Sequence, residues 1–203
     1  MDTGHVVLEH AEAEGERVCL RPISVGDAQA CFDAVHGVPA ITDWITWDGP
    51  ESVAELEESY LNWHREPEDK DHYTFAIIER SSGAFAGSIG VWHRREQPLA
   101  SLGYLVGVEF QGRGLASEAV RLATELGFWE LGVLLMRADV FEGNQPSIRV
   151  LEKVGYRLDD VEEQTFEKNG VEVPMHEYSI SRAVWERAPA GPHAWTTRVR
   201  KDA

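Results

Sequence analysis

The residues whose types and order could do chemistry begin with Gln111-Gly112-Arg113-Gly114-Leu115-Ala116-Ser117, just after the apolar run from Tyr104 to Val108 and the pair Glu109-Phe110. Behind this turn Ala119, Val120, Leu122, Ala123, Leu126 and Phe128 recur at three-to-four spacing, the period of an amphipathic helix. A strand, a tight glycine turn and a helix N-terminus in succession form an anion cradle. The first-turn N–H groups point the same way, and the helix dipole adds partial positive charge. Gly112 and Gly114 carry no Cβ, so a phosphate can approach the backbone closely. Arg113 either adds a charge to that anion or stays solvated, and both readings are open. The spacing is not a P-loop, because no Lys-Ser/Thr pair follows Gly114. It also lacks the three glycines of a nucleotide-binding oxidoreductase and an acidic residue placed for a ribose.

The turn fits the pattern Gln-x-x-Gly-x-Ala, here Gln111, Gly114 and Ala116, and resembles the pyrophosphate-binding motif of the GNAT superfamily of acyl-CoA-dependent N-acyltransferases. Thirty residues on, Asn144-Gln145-Pro146-Ser147 followed by Glu152-Lys153-Val154-Gly155-Tyr156 resembles the segment after the fifth strand in that family. The opening Arg17-Val18-Cys19-Leu20-Arg21-Pro22 with Asp27-Ala28, and Leu102-Gly103-Tyr104, resemble the RimJ/RimL branch, whose members acetylate ribosomal protein N-termini or other amines. The resemblance spans residues 16–186.

It implies an α/β (α+β) fold, a mixed and mostly antiparallel twisted sheet flanked by helices, with strands splayed at the acyl-CoA site. It implies acetyl-CoA as co-substrate, held by Val106, Gln111, Gly112, Arg113, Gly114, Leu115, Ala116 and Ser117. Asn144 is expected on the pantetheine arm, although a plain turn residue would look the same. Many members carry a thiol-side tyrosine where this chain has Leu151. RimL-like relatives use a serine at the position of Ser147, which is therefore the expected donor, with a helix-start role as its alternative. For the base the resemblance points to the strand pair after this helix, with Glu167 as the nearest match beside Glu163 and Glu172. His72, His93 and Asp43 are further candidates, and His176 is expected on the surface. Two copies of such a chain often pair, so a homodimer is compatible with it.

The chemistry follows from physical demands. A free primary amine has a pKa of about 10.4, so at neutral pH it is protonated and cannot attack a thioester. A carboxylate must accept that proton, directly or through water. N–H donors on a splayed strand edge suit the oxyanion. The thiol, with a pKa of about 8.5, is a fair leaving group that needs modest protonation. Direct transfer of an acetyl group to an amine is the reading; a donor such as succinyl-CoA, or a non-catalytic acyl-CoA-binding regulator, are the alternatives.

These groups need elements to hold them. Strands are expected over Arg17–Ile23, Tyr73–Glu79, Ala84–Val91, Leu99–Val108 and Leu134–Val140, and a final pair, Tyr156–Glu167 and Glu172–Ser181, reversing at Lys168-Asn169-Gly170. Helices are expected after Ser24, over Glu51–Leu61, from Gly114 to Leu131, and from Pro146 to a Gly155 cap. The stretch from Gly37 to Pro50 reads as a loop whose Trp44 and Trp47 either pack on the core or wall a substrate pocket. Residues 1–15 read as a loose arm, 16–186 as the acyltransferase domain and 187–203 as an irregular tail.

The 203 residues suit one domain with a substantial core. No apolar run approaches the roughly 18 residues of a membrane span. The start, with Asp2, Glu9, Glu12, Glu14 and Glu16, lacks the basic and apolar regions of a signal peptide, so a cytoplasmic protein away from membranes is expected. A formal charge of −16 argues against nucleic acid. It suits cationic acceptors such as polyamines, aminosugars or basic protein termini, and equally an acidity that only serves solubility. Cys19 and Cys31 lack metal-ligand spacing and read as reduced core thiols, and no metal is expected.

Overall fold

The computed structural model describes residues 11–62, 70–94, 96–159, 164–187 and 195–196, with backbone alone at 70, 71 and 196. Its strands are β1 (Glu12–Glu14), β2 (Val18–Pro22), β3 (Lys70–Glu79), β4 (Phe85–Arg94), β5 (Leu99–Val106), β6 (Leu135–Phe141), β7 (Arg157–Leu158), β8 (Gln164–Lys168), β9 (Val171–Ser181) and β10 (Trp195–Thr196). They form one sheet in the order β10-β1-β2-β3-β4-β5-β6-β9-β7, with β8 paired to β9. Every pairing is antiparallel except β5 with β6. The helices are α1 (Ala28–Val35), α2 (Pro39–Thr42), α3 (Val53–Asn62), α4 (Leu115–Trp129), α5 (Gln145–Val154) and α6 (Arg182–Trp185).

Strand alternation sorts the two faces. Phe75, Ile77, Ile89, Val91, Leu102 and Met136 meet the apolar stripe of α4 in the main core. The opposite face carries Ala76, which joins Cys31, Val35, Ile41, Leu56 and Tyr60 of α1–α3 in a second cluster. Those helices cover only part of that face. His72, Ser88, Gly90, Trp92, Ser101 and Gly103 line a cavity instead.

Close packing fixes α4 on the sheet. A Cβ on Gly127 would stand 2.1 Å from the sulfur of buried Met136. Gly127→Ala is therefore expected to cost about 1–3 kcal/mol by overpacking, read as a lower thermal midpoint. At the other end of α4, Glu118 accepts the backbone N–H groups of Glu16, Arg17 and Val18 at 2.6, 2.7 and 3.0 Å, tying the start of β2 to the helix's first turn.

The turn after β2 is held by Asp27, which takes a forked pair of bonds from Arg21 at 2.8 and 2.6 Å and a third from the Ser24 N–H. Burial pushes the Asp27 carboxyl up, but these bonds outweigh it and hold the group below its ordinary value. The sign follows: this contribution is full above the unfolded carboxylate pKa and is lost as pH falls through the depressed folded value. Arg21→Met is expected to flatten the acid limb of a plot of melting temperature against pH.

Three segments depart from expectation. Glu12–Glu14, inside the stretch read as a loose arm, form a strand because Ala11 and Ala13 are fully buried between exposed acids, a period-two pattern masked by the charge. Trp195–Thr196, inside the stretch read as an irregular tail, pair with β1 because Trp195 buries its ring edge-on to Phe75 and donates Nε1–H to Leu122 O at 2.8 Å. The loop from Gly37 to Pro50 contains α2, started by Pro39 in its first turn. Residues 1–10 and most of the tail lie outside the described residues. Cys31 is buried, Cys19 half-buried, and both are free thiols. Among the described residues no helix is long and apolar enough to cross a membrane.

Candidate active site

β5 and β6 pair only from Leu99 opposite Leu135 to Ser101 opposite Arg137, yet β5 runs on to Val106 and β6 to Phe141. The two strands separate beyond Ser101, leaving backbone N–H and C=O groups on the facing edges for a ligand. A cavity of about 1040 Å³ lies across this gap. It reaches the glycine turn on one side and the α1–α3 cluster on the other.

The turn is built for an anion. β5 ends in a 3₁₀ turn at Val108–Phe110, and Gln111 folds back so that its side-chain NH₂ donates to Val106 O at 3.1 Å. Gly112 and Gly114 take φ of +72° and +80°. A Cβ would meet nothing within 4 Å at Gly112 and only Arg17 Cδ, 3.9 Å away, at Gly114. The left-handed backbone, not crowding, is therefore what favours glycine. Gly114 is the N-cap of α4, whose first-turn N–H groups have no intrahelical partner. Val106, Gln111, Gly112, Gly114, Leu115, Ala116 and Ser117 all line the cavity. Arg113 does not: its guanidinium pairs with buried Glu79 and sits 5.6 Å from the Phe110 ring centre.

Across the gap, Asn144 caps α5 by accepting the Ser147 N–H at 3.2 Å while also lining the cavity. Ser147 Oγ lies 2.8 Å from the hydroxyl of Tyr104 on β5. Burial pushes the Tyr104 hydroxyl up to about 12, with the bond to Ser147 opposing it. Tyr104 thus keeps its proton at neutral pH. Leu151 is fully buried in the main core and takes no part. Arg149 and Lys153, on α5, line the cavity as well.

The carboxylate the structure brings to the gap is Asp139 of β6, which lines the cavity. Asp139 is open to solvent through the cavity, yet desolvation by the surrounding protein pushes its carboxyl up from its ordinary value, with Arg137 opposing. Its cross-strand neighbour Glu177 is also pushed up by desolvation and pairs with Arg137 at 3.3 Å.

The acids expected from the sequence do not come together here. Glu167 and Glu172 face each other across the β8–β9 pair, both exposed, and neither lines the cavity. The β8–β9 reversal puts them on its outer turn, which is why the expected register misses. Glu163 lies outside the described residues. Asp43 is exposed away from the cavity, and His93 is buried against Gln97 O at 3.1 Å. His72 does line the cavity; His176 is half-buried and does not. Asp139 and Tyr104 went unassigned in the sequence. The available signal was the alternating charged pair Arg137 and Asp139 inside the otherwise apolar run Leu134–Val140. Among the described residues no group of three or more side chains could hold a metal.

Residues 17–157 match the family model described as an acetyltransferase (GNAT) domain. The uncharacterized N-acetyltransferase YoaA of Bacillus subtilis is 29% identical over 172 residues, which cover 82% of this chain and 94% of that protein. Mycobacterium smegmatis RimJ in complex with CoA-disulfide superposes with a TM-score of 0.74 at 21% identity, covering 92% of each chain. Spermidine N-acetyltransferase from Vibrio cholerae, in complex with CoA and spermine, superposes with a TM-score of 0.73 at 19% identity, covering 85% of this chain and 100% of that one.

Proposed function

The chain belongs to the GNAT acetyltransferase family, with its RimJ/RimL-like members, and on that premise we propose that it moves the acetyl group of acetyl-CoA directly onto a primary amine. The observation that carries this reading is the gap between β5 and β6, which joins a backbone anion cradle to an acid and a hydroxyl pair within one cavity.

Each part has a job the substrates require. The N–H groups from Gly114 to Ser117 suit the pyrophosphate of the donor. The free edge of β5 offers N–H groups to the thioester carbonyl as it becomes an oxyanion. Asp139 takes the proton of the attacking amine, the new C–N bond forms, and the C–S bond breaks. Tyr104 stays protonated and can donate to Ser147 Oγ; in that arrangement the serine's own proton is directed at the departing sulfur. We thus assign the base to Asp139 in place of Glu167 and keep Ser147 as the thiol-side donor.

Acetyl is the simplest donor, because the described cations of the cavity, Arg149 and Lys153, both sit on α5 and not on the strand lips. A cytoplasmic setting belongs to the same proposal and is supported by two free thiols. The test is calorimetric titration with acetyl-CoA, succinyl-CoA and free coenzyme A, followed by mass detection of N-acetylated amine. Binding of acetyl-CoA with product formation is expected. Binding without turnover on any amine would leave an acyl-CoA-binding regulator, and no binding would overturn the cradle.

A further inference from the structure

We propose that the acceptor is a primary amine carried on a flat, apolar skeleton, of the arylalkylamine class, which lies against Trp92 and under the Trp44–Trp47 loop; this rests on the acyltransferase reading above. The floor of the cavity is unusual for a strand surface. Trp92 leans along β4 and over β5, so that a Cβ on Gly90 would stand 2.8 Å from the indole and one on Gly103 3.2 Å from it. Both glycines have ordinary backbone angles, so what they supply is space for the ring. His72, opposite Trp92 on β3, stacks on it with ring centres 5.0 Å apart and planes 25° apart. Even so, Trp92 remains 45% exposed. A laid-down, half-open aromatic surface beside the reacting gap is a seat for another flat group.

The facing wall is apolar too. Ile41, Trp44, Ile45, Trp47, Leu56 and Tyr60 line it. The loop carrying the two tryptophans is held in place at both ends of its contact. Lys168 of β8, itself buried, donates to Trp47 O at 3.1 Å and to Asp48 Oδ1 at 2.5 Å. The tip of the Trp44 ring reaches to within 3.8 Å of where a Cβ on Gly143 would stand, next to the cap of α5. The wall is thus fixed close to the gap, with Lys168 as its positioning residue.

Charge decides between amine classes. Among the described lining residues the carboxylates are Glu55 and Asp139. Asp139 is engaged with the reacting nitrogen, which leaves one acid for any further ammonium. A polyamine would bring several cations into a mostly apolar space, where an unpaired charge is costly. A single amine on a ring meets no such penalty and covers the exposed indole.

The test compares phenethylamine, n-butylamine and spermidine as acceptors at saturating acetyl-CoA. Phenethylamine is expected to exceed both in kcat/KM by at least about tenfold. Trp92→Ala should remove that preference while Trp92→Phe retains it, and calorimetric affinity for acetyl-CoA should stay constant in both. Lys168→Met should raise KM for phenethylamine with kcat held. A preference for spermidine, or a Trp92→Ala loss equal for all three amines, overturns the proposal. If no amine is acetylated, the acyltransferase reading has failed, and the seat is read separately by calorimetry of phenethylamine into protein with free coenzyme A. Binding lost in Trp92→Ala supports the seat; no binding overturns it.

Discussion

Asp139→Asn is expected to lower kcat for amine acetylation by about 10²- to 10⁴-fold, the usual contribution of a positioned base, with acetyl-CoA affinity unchanged. Asparagine keeps the shape and removes the proton acceptor. The pH dependence gives a second reading of the same residue. Desolvation by the surrounding protein raises the Asp139 carboxyl above its ordinary value. The base works only when ionised, so kcat/KM should fall as pH drops through that raised value, and the fall should begin at higher pH than for an ordinary carboxylate. The asparagine variant should lose that limb and keep the alkaline rise that comes from the amine's own deprotonation.

The stability sign runs the other way and separates catalysis from structure. A carboxyl raised in the folded state is one whose ionised form the fold disfavours, so at neutral pH it adds no stability. Asp139→Asn should therefore melt no lower than the parent at pH 7. A large drop in melting temperature together with the rate would make Asp139 structural. Full activity in Asp139→Asn with loss in Glu177→Gln would move the base one strand over.

The parts of the site that were legible in sequence are those set by local backbone chemistry. The turn from Gln111 to Ser117 could be read because left-handed glycines, a side chain that folds back and a helix N-terminus all act within a few residues. Ser147 could be placed for the same reason, three residues after its cap at Asn144. The partners those groups find across the sheet were not legible. Tyr104 meets Ser147 across 43 positions of chain, and Lys168 meets Asp48 across 120. Nothing local announces either meeting. Asp139 and Glu167 illustrate the difference in register. Both are acids in strands near the end of the sheet, but β6 borders the gap, whereas β8 pairs with β9 outside the main strand order. Periodicity assigned both strands and could not say which one borders the opening. The pairing of Arg113 was hidden for another reason: its opposite charge, Glu79, lies on a distant strand, so the turn alone leaves the guanidinium unassigned. The edges of the sheet were missed where small apolar residues alternate with acids, as at Ala11 and Ala13, because net charge outweighed the pattern.

Ser147→Ala carries the second large effect, a fall in kcat of about 10²-fold, at the low end for proton transfer because a thiol with a pKa of about 8.5 departs without much help. Tyr104→Phe should cost less on its own. Ser147 Oγ would lose the donor that turns its proton outward, but it would keep the proton. The double variant should be no slower than Ser147→Ala, since without the serine hydroxyl Tyr104 has nothing at the sulfur to orient. Such non-additivity is the mark of two groups acting as one. Independent roles would instead multiply the two losses. The competing account makes Ser147 only a first-turn residue of α5, bonded to Asn144 through its backbone N–H. That bond survives the substitution to alanine, so the structural account predicts a near-silent variant. A 10²-fold loss at constant melting temperature and constant acetyl-CoA affinity places the hydroxyl in the reaction, and an unchanged rate removes it.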